Sequence, residues 1–145
     1  MTITRVLVAV DFSPASLAAL DYARDCALQL GGTLSILHVI EDAAPETERA
    51  GTAESDAARQ LEERVADAPG AIGARVTVVR APDAADTIVK HARETGAELI
   101  IMGLSGYEHE DFFMGSVAQQ VVRHAPCPVM TLRAGSSRRP MVVTR

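Results

Sequence analysis

An α/β fold built on a parallel sheet is what this sequence predicts, and three observations predict it. Short apolar runs rich in β-branched residues alternate with stretches of helical spacing along the chain. That alternation means βαβ units with right-handed crossovers. The first run, Arg5–Val10, is apolar after its first residue and rich in valine, as in a strand covered on both faces. Glycine, proline and small hydroxyl residues stand at the junctions, where caps and turns need them.

The first strand runs into Asp11-Phe12-Ser13-Pro14, which turns the chain into a helix. Ser13 suits the cap and Pro14 the first helical position. Leu17, Leu20, Ala23, Ala27 and Leu30 recur at helical spacing, and Gly31-Gly32 ends the helix. Thr33–Ile40 reads as the second strand and Glu41–Gly51 as a polar, proline-containing loop. Glu54–Ala68 is the second helix, with Ala57, Leu61 and Val65 on its apolar edge, and Pro69-Gly70 closes it. Ala74–Arg80 is the third strand. Asp83–Thr95 is a helix that turns Ile88, Val89 and Ala92 inward, with Gly96 just past its end. Leu99–Met102 is the fourth strand, Ser116–Ala125 the fourth helix and Pro128–Leu132 the fifth strand. A Gly/Ser/Arg connector, Arg133–Arg139, leads to Met141-Val142-Val143-Thr144, which either adds an edge strand or pairs with a partner. Residues 1–145 make one domain, with 134–145 as a C-terminal extension.

Composition narrows the function. A chain of 145 residues with 48% hydrophobic residues and mean hydropathy +0.11 folds around a sizeable core. No apolar run reaches the length of a membrane span. Met1–Val10 lacks the pattern of a signal peptide, so the cytoplasm is the expected location. A net charge of −5 argues against nucleic acid as a partner, and two Tyr, three Phe and no Trp argue against base stacking. Lys90 is the only lysine and follows no glycine-rich loop, which excludes a P-loop of the GxxxxGK type. Cys26 and Cys127 have no paired spacing and read as buried, inert thiols.

The stretch with most chemistry in it is Gly103-Leu104-Ser105-Gly106, eight further residues, then Gly115-Ser116. A strand, a glycine-bearing loop and a helix start make an anion site, because the helix's first N–H groups point at the ligand. In open sheets of this class, ligands sit beyond the carboxyl ends of the strands where strand order reverses. Asp11 ends strand one and Gly103 follows strand four, so the two face one crevice if those strands are neighbours. A simpler account makes Asp11 a turn residue and Ser116 a helix cap.

Taken together, Val8-Ala9-Val10-Asp11-Phe12-Ser13, Leu37-His38-Val39-Ile40, Gly96–Gly103, Gly115-Ser116-Val117-Ala118 and His124-Ala125-Pro126-Cys127-Pro128-Val129 resemble the universal stress protein family over essentially the whole chain. The resemblance implies a Rossmann-like, five-stranded parallel sheet in the order 3-2-1-4-5 with four helices on its two faces. It also implies a homodimer along strand five, Val129–Leu132. One branch of the family binds ATP through a Gly-x2-Gly-x9-Gly-Ser/Thr motif; another lacks the motif and binds none. Carried over, Asp11 contacts the ribose, and Ala9, Val10 and Val39 line the adenine slot. Met102 and Gly103 bring backbone to the ligand, and Gly106, Gly115, Ser116 and Val117 hold the phosphates.

The chain departs from that motif. Its second gap is eight residues rather than nine, Ser105 stands where histidine is common, and Tyr107-Glu108-His109-Glu110-Asp111 is acidic. Each carboxylate close to a triphosphate costs roughly 1 kcal/mol or more. A magnesium ion bridging carboxylates and phosphates offsets this. The expected function is a non-enzymatic, ATP-binding, dimeric stress-response switch. The alternative is a dimeric interaction protein without nucleotide. No metal site is expected from Glu108–Asp111, which reads as a solvated charge run. His38 reads as a satisfied core histidine, and His91 and His124 as helix-surface residues. Arg123, Arg133, Arg138 and Arg139 read as helix-end and tail charges.

Overall fold

The computed structural model of the chain describes residues 2–41, 50–66, 73–104, 114–134 and 142–144. Its elements run β1 (Arg5–Ala9), α1 (Pro14–Leu30), β2 (Thr33–Glu41), α2 (Ala50–Ala66), β3 (Gly73–Ala81), α3 (Ala84–Thr95), β4 (Leu99–Gly103), α4 (Ser116–His124), β5 (Val129–Leu132) and β6 (Val142–Thr144). One sheet holds every strand in the order β3-β2-β1-β4-β5-β6. The first five are parallel in the order 3-2-1-4-5, and β6 lies antiparallel on the outer edge of β5.

Alternation along β1 explains its continuous apolar run. Val6, Val8 and Val10 face the core formed with Leu20 and Ala23 of α1 and Leu61 of α2. Leu7 and Ala9 face the opposite core, formed with Ile88 and Ala92 of α3 and Val121 of α4. Helices α1 and α2 therefore cover one face, α3 and α4 the other. A strand buried on both sides has no face to leave polar.

Helix ends follow local chemistry. Ser13 caps α1 through its hydroxyl, which accepts from the Ser16 N–H at 3.2 Å. Asp83 caps α3 through its carboxylate, which accepts from Asp86 N–H at 3.0 Å. Gly31 and Gly96 close α1 and α3 with φ of 65° and 66°, the left-handed geometry that glycine takes without cost. Helix α2 begins at Ala50 rather than Glu54. Gly51 closes the expected loop, yet it falls in the first turn of α2, where N–H groups lack intrahelical partners and a poor helix former costs little. Strand β2 runs through Glu41, and 42–49 of the expected loop lie outside the described residues.

Helix α2 is tied down by charges as well as by Leu61. The Arg80 guanidinium on β3 donates to Glu54 at 2.9 Å, and Arg64 meets Asp21 of α1 at 3.4 Å. Among the described residues, no helix is long and apolar enough to cross a membrane.

Candidate functional site

Strand order reverses between β1 and β4, since β2 and β3 lie to one side and β5 to the other. A cleft of about 400 Å³ opens there, beyond the carboxyl ends of the strands. That volume lies within the range of small-molecule sites, about 300–1,000 Å³. Ala9, Val10 and Asp11 line it from the end of β1, Val39 from β2, and Met102 and Gly103 from β4. Gly115, Ser116 and Val117 line it from the start of α4. The tenth expected site residue, Gly106, lies outside the described residues, as do Ser105 and the acidic run Tyr107–Asp111.

The turn after β1 is built by hydrogen bonds. Val10 N–H donates to the Leu37 carbonyl at 2.9 Å, which holds the end of β1 against β2. The Asp11 carboxylate accepts from Ser13 N–H at 2.9 Å, and Asp11 N–H donates to the Ser16 hydroxyl at 3.2 Å. Phe12 between them has φ of 64°, so the chain reverses sharply and brings Asp11 over the start of α1. The Phe12 ring meets His38 edge-on, with centroids 4.8 Å apart. His38 Nδ1 lies 2.6 Å from the Val10 carbonyl. A carbonyl only accepts, so Nδ1 carries the proton, and His38 is a bonded structural histidine.

The opposite wall is built differently. Leu104 N–H donates to the Leu132 carbonyl at 2.7 Å, and the Leu104 carbonyl accepts from Gly115 N–H at 2.9 Å. Residues 104 and 115 are thus joined directly, whatever lies between. The one-residue difference from the family spacing falls inside this bridge, so it leaves the two anchors together. Ser116 is not the helix cap. Gly115 holds that position, with φ −60° and ψ 157°, and it has no side chain to bond the first turn. Helix α4 therefore presents its first N–H groups and the positive end of its dipole with no capping side chain. Gly103 answers a packing demand. A Cβ there would stand 2.9 Å from Ser16 N and 3.0 Å from the Ala15 Cβ, so only glycine lets α1 pack this closely on β4.

Several lining residues escaped the sequence reading. Leu37 and Glu41 stand on either side of the expected Val39 at alternate positions of β2, and the three face the cleft together. Ala84 and Ile88 sit one turn apart on α3 and close the same end. Period-two and four-residue spacing would have found both sets once Val39 was placed. Glu41 also accepts from Ala84 N–H at 3.1 Å, at the start of α3. Ser13, Ser16, Leu104 and Ala118 complete the lining. Asp11 and Glu41 are its charged side chains; no lysine or arginine lines it among the described residues.

Other candidate groups sit elsewhere. His91 is half-buried rather than on the surface, and burial pulls its pKa below the ordinary histidine value while Glu94 opposes this. Burial pushes the half-buried Cys26 thiol up, away from the reactive thiolate. Among the described residues, no three His, Cys, Asp or Glu side chains converge to hold a metal.

A family model described as the universal stress protein family matches residues 2–133. A relative from Staphylococcus haemolyticus that carries the universal stress protein name is 30% identical over 143 residues, covering 92% of this chain and 86% of its own. Universal stress protein UspA from Lactobacillus plantarum superposes with a TM-score of 0.78 at 28% identity, covering 92% of this chain and 99% of its own. A universal stress protein solved in complex with cAMP superposes with a TM-score of 0.73 at 24% identity, over 92% of this chain and 99% of its own. At that identity, the last likeness is one of fold.

Proposed function

The chain belongs to the universal stress protein family, and from that premise we propose that it is a non-enzymatic, adenine-nucleotide-binding stress-response protein of the cytoplasm. The observation that carries the reading is the start of α4. A helix N-terminus capped by a bare glycine opens into a cleft at the strand-order reversal. Its first N–H groups and dipole suit a phosphate. Ala9, Leu37, Val39 and Ile88 give the cleft an apolar stretch that suits a base, with Glu41 beside it. Asp11, between the two ends, suits ribose hydroxyls. In this reading Met102 and Gly103 approach the ligand by backbone, and Gly106, Gly115, Ser116 and Val117 hold the phosphates of ATP. A neighbour of the same fold was solved in complex with cAMP, which supports this reading.

Asp11 and Glu41 face that ligand without a cationic side chain among the described lining residues. Phosphate charge then needs a counter-ion. Magnesium fits that role as an ion held by phosphates and water, since no protein cage for it is formed by the described residues. Occupancy acts as a switch to the extent that the ligand binds two arrangements of the protein differently.

The two carboxylates also favour a second reading, an interaction protein that takes no nucleotide. Isothermal titration with Mg-ATP and with ATP alone separates the two. Saturable binding that weakens without magnesium is expected. No heat at millimolar nucleotide would leave the second reading standing.

A further inference from the structure

Glu41 lines the cleft and is held at both of its ends. Its backbone is the last residue of β2, in register with Ala81 of β3. Its carboxylate reaches the start of α3, where Oε2 accepts from Ala84 N–H at 3.1 Å. A side chain fixed between a strand and a helix is pre-organised, and its second oxygen, Oε1, is the acceptor left for a ligand. The cleft's other polar side chains are engaged or stand elsewhere. Ser13 Oγ accepts from Ser16 N–H, and Ser16 Oγ donates to the Ser13 carbonyl and accepts from Asp11 N–H. The Asp11 carboxylate accepts from Ser13 N–H in the same turn. Ser116 belongs to the start of α4. On the wall made by β2 and α3, Leu37, Val39, Ala84 and Ile88 are apolar, and Glu41 is the polar side chain beside them among the described residues.

We propose that Glu41 is a specificity-determining residue of this cleft: its carboxylate accepts from the exocyclic amine of the bound base and selects a 6-aminopurine over its 6-oxo counterpart. The proposal rests on the nucleotide reading of the cleft and adds to it which group reads the base. An ionised carboxylate only accepts. A 6-aminopurine brings a donor to the place where a 6-oxopurine brings a second acceptor, so the first is bonded there and the second repelled. With Oε2 committed to Ala84, one oxygen remains, which matches a single amine rather than a pair of N–H donors. Asp11 and Glu41 both oppose phosphate charge, whichever base the nucleotide carries. The contact with the amine is what tells one base from the other.

Calorimetric titration of the full chain with Mg-ATP and with Mg-ITP tests this. ITP keeps the ribose and triphosphate and exchanges the amine for a carbonyl, so phosphate repulsion and magnesium act on both nucleotides alike. The wild type should bind ATP about tenfold more tightly than ITP. Glu41→Gln keeps an amide oxygen for Ala84 N–H and turns an NH2 group toward the base. Its preference should fall to parity or reverse toward ITP, with a circular dichroism spectrum like that of the wild type. Glu41→Ala removes the acceptor altogether and should bring the ratio to parity; it decides the matter if the glutamine variant does not fold. A residue that only secures the start of α3 would alter stability, or both affinities together, and leave their ratio alone. A wild type that binds the two nucleotides equally, or variants that keep the wild-type ratio, overturns the proposal and leaves the nucleotide reading standing. No heat with either nucleotide overturns the nucleotide reading itself, and this proposal falls with it.

Discussion

Among the described residues, Phe12 is the one non-glycine residue with a positive φ. Its φ of 64° is the left-handed region, which costs a side chain with a Cβ roughly 1–2 kcal/mol. The fold tolerates this because the reversal puts Asp11 over Ser13 N–H and the ring against His38 and the α1 core. Phe12→Gly loses the ring but relieves the backbone; Phe12→Ala loses the ring and keeps the strain. Urea denaturation should find the glycine variant more stable than the alanine variant by about 1 kcal/mol. Equal stabilities would mean the backbone is not strained. None of this was legible beforehand, since a phenylalanine in a turn gives no sign of its φ. Gly103 was legible as a glycine at a strand end, but its packing role was not. The close approach of α1 that requires it shows only in the packed structure.

At the scale of the element, α4 differs from α1 and α3. Those two carry Ser13 and Asp83, whose side chains bond their own first turns. Helix α4 has Gly115 in that place. Gly115→Asp would supply the missing acceptor, which takes the free N–H groups and sets a negative charge where phosphate would lie. Nucleotide binding should fall below detection by titration while circular dichroism retains the helical signal. Unchanged affinity would move the phosphate site away from α4. The boundaries of α4 were legible because Val117, Val121 and the flanking proline and glycine mark them. The choice of Gly115 over Ser116 as cap was not, because serine is the better capping residue and one residue's shift depends on the Leu104–Gly115 bond.

At the scale of the molecule, β1 and β4 are neighbours in space and distant in sequence, and Glu98 secures the end of that pair remote from the cleft. Its carboxylate accepts from Thr4 N–H, the Thr4 hydroxyl and Arg5 N–H, each at 3.1 Å. The Thr4 backbone bond is the largest reason that the Glu98 carboxyl is held below the ordinary glutamate value; the Thr4 hydroxyl and Arg5 add to it, and partial desolvation opposes it. The sign follows from linkage. A carboxyl with a lower pKa in the folded state contributes stability above its unfolded value and loses it as pH falls through the folded value. Glu98→Gln should therefore flatten the acid limb of the stability curve, below the ordinary glutamate value, with less effect on the shape of the curve near neutral pH. Thermal melts of both proteins from pH 7 downward measure this. Parallel acid limbs would remove Glu98 as a contributor.

The sequence by itself determined the alternation of strands and helices, the two-sided burial of β1 and the glycine-rich junction between β4 and α4. Each of these is local: periodicity, capping and turn chemistry act within a few residues. Strand order came with the family resemblance, because a parallel sheet's neighbours are chosen by packing across the whole chain. Three matters were decided only by the tertiary structure. Leu37, Glu41, Ala84 and Ile88 became cleft residues because β2 and α3 converge there. Gly103 became a packing glycine because α1 rests on it. The segment 142–144, open beforehand between an edge strand and a partner's strand, became β6 because β5 left one edge of backbone groups to be paired.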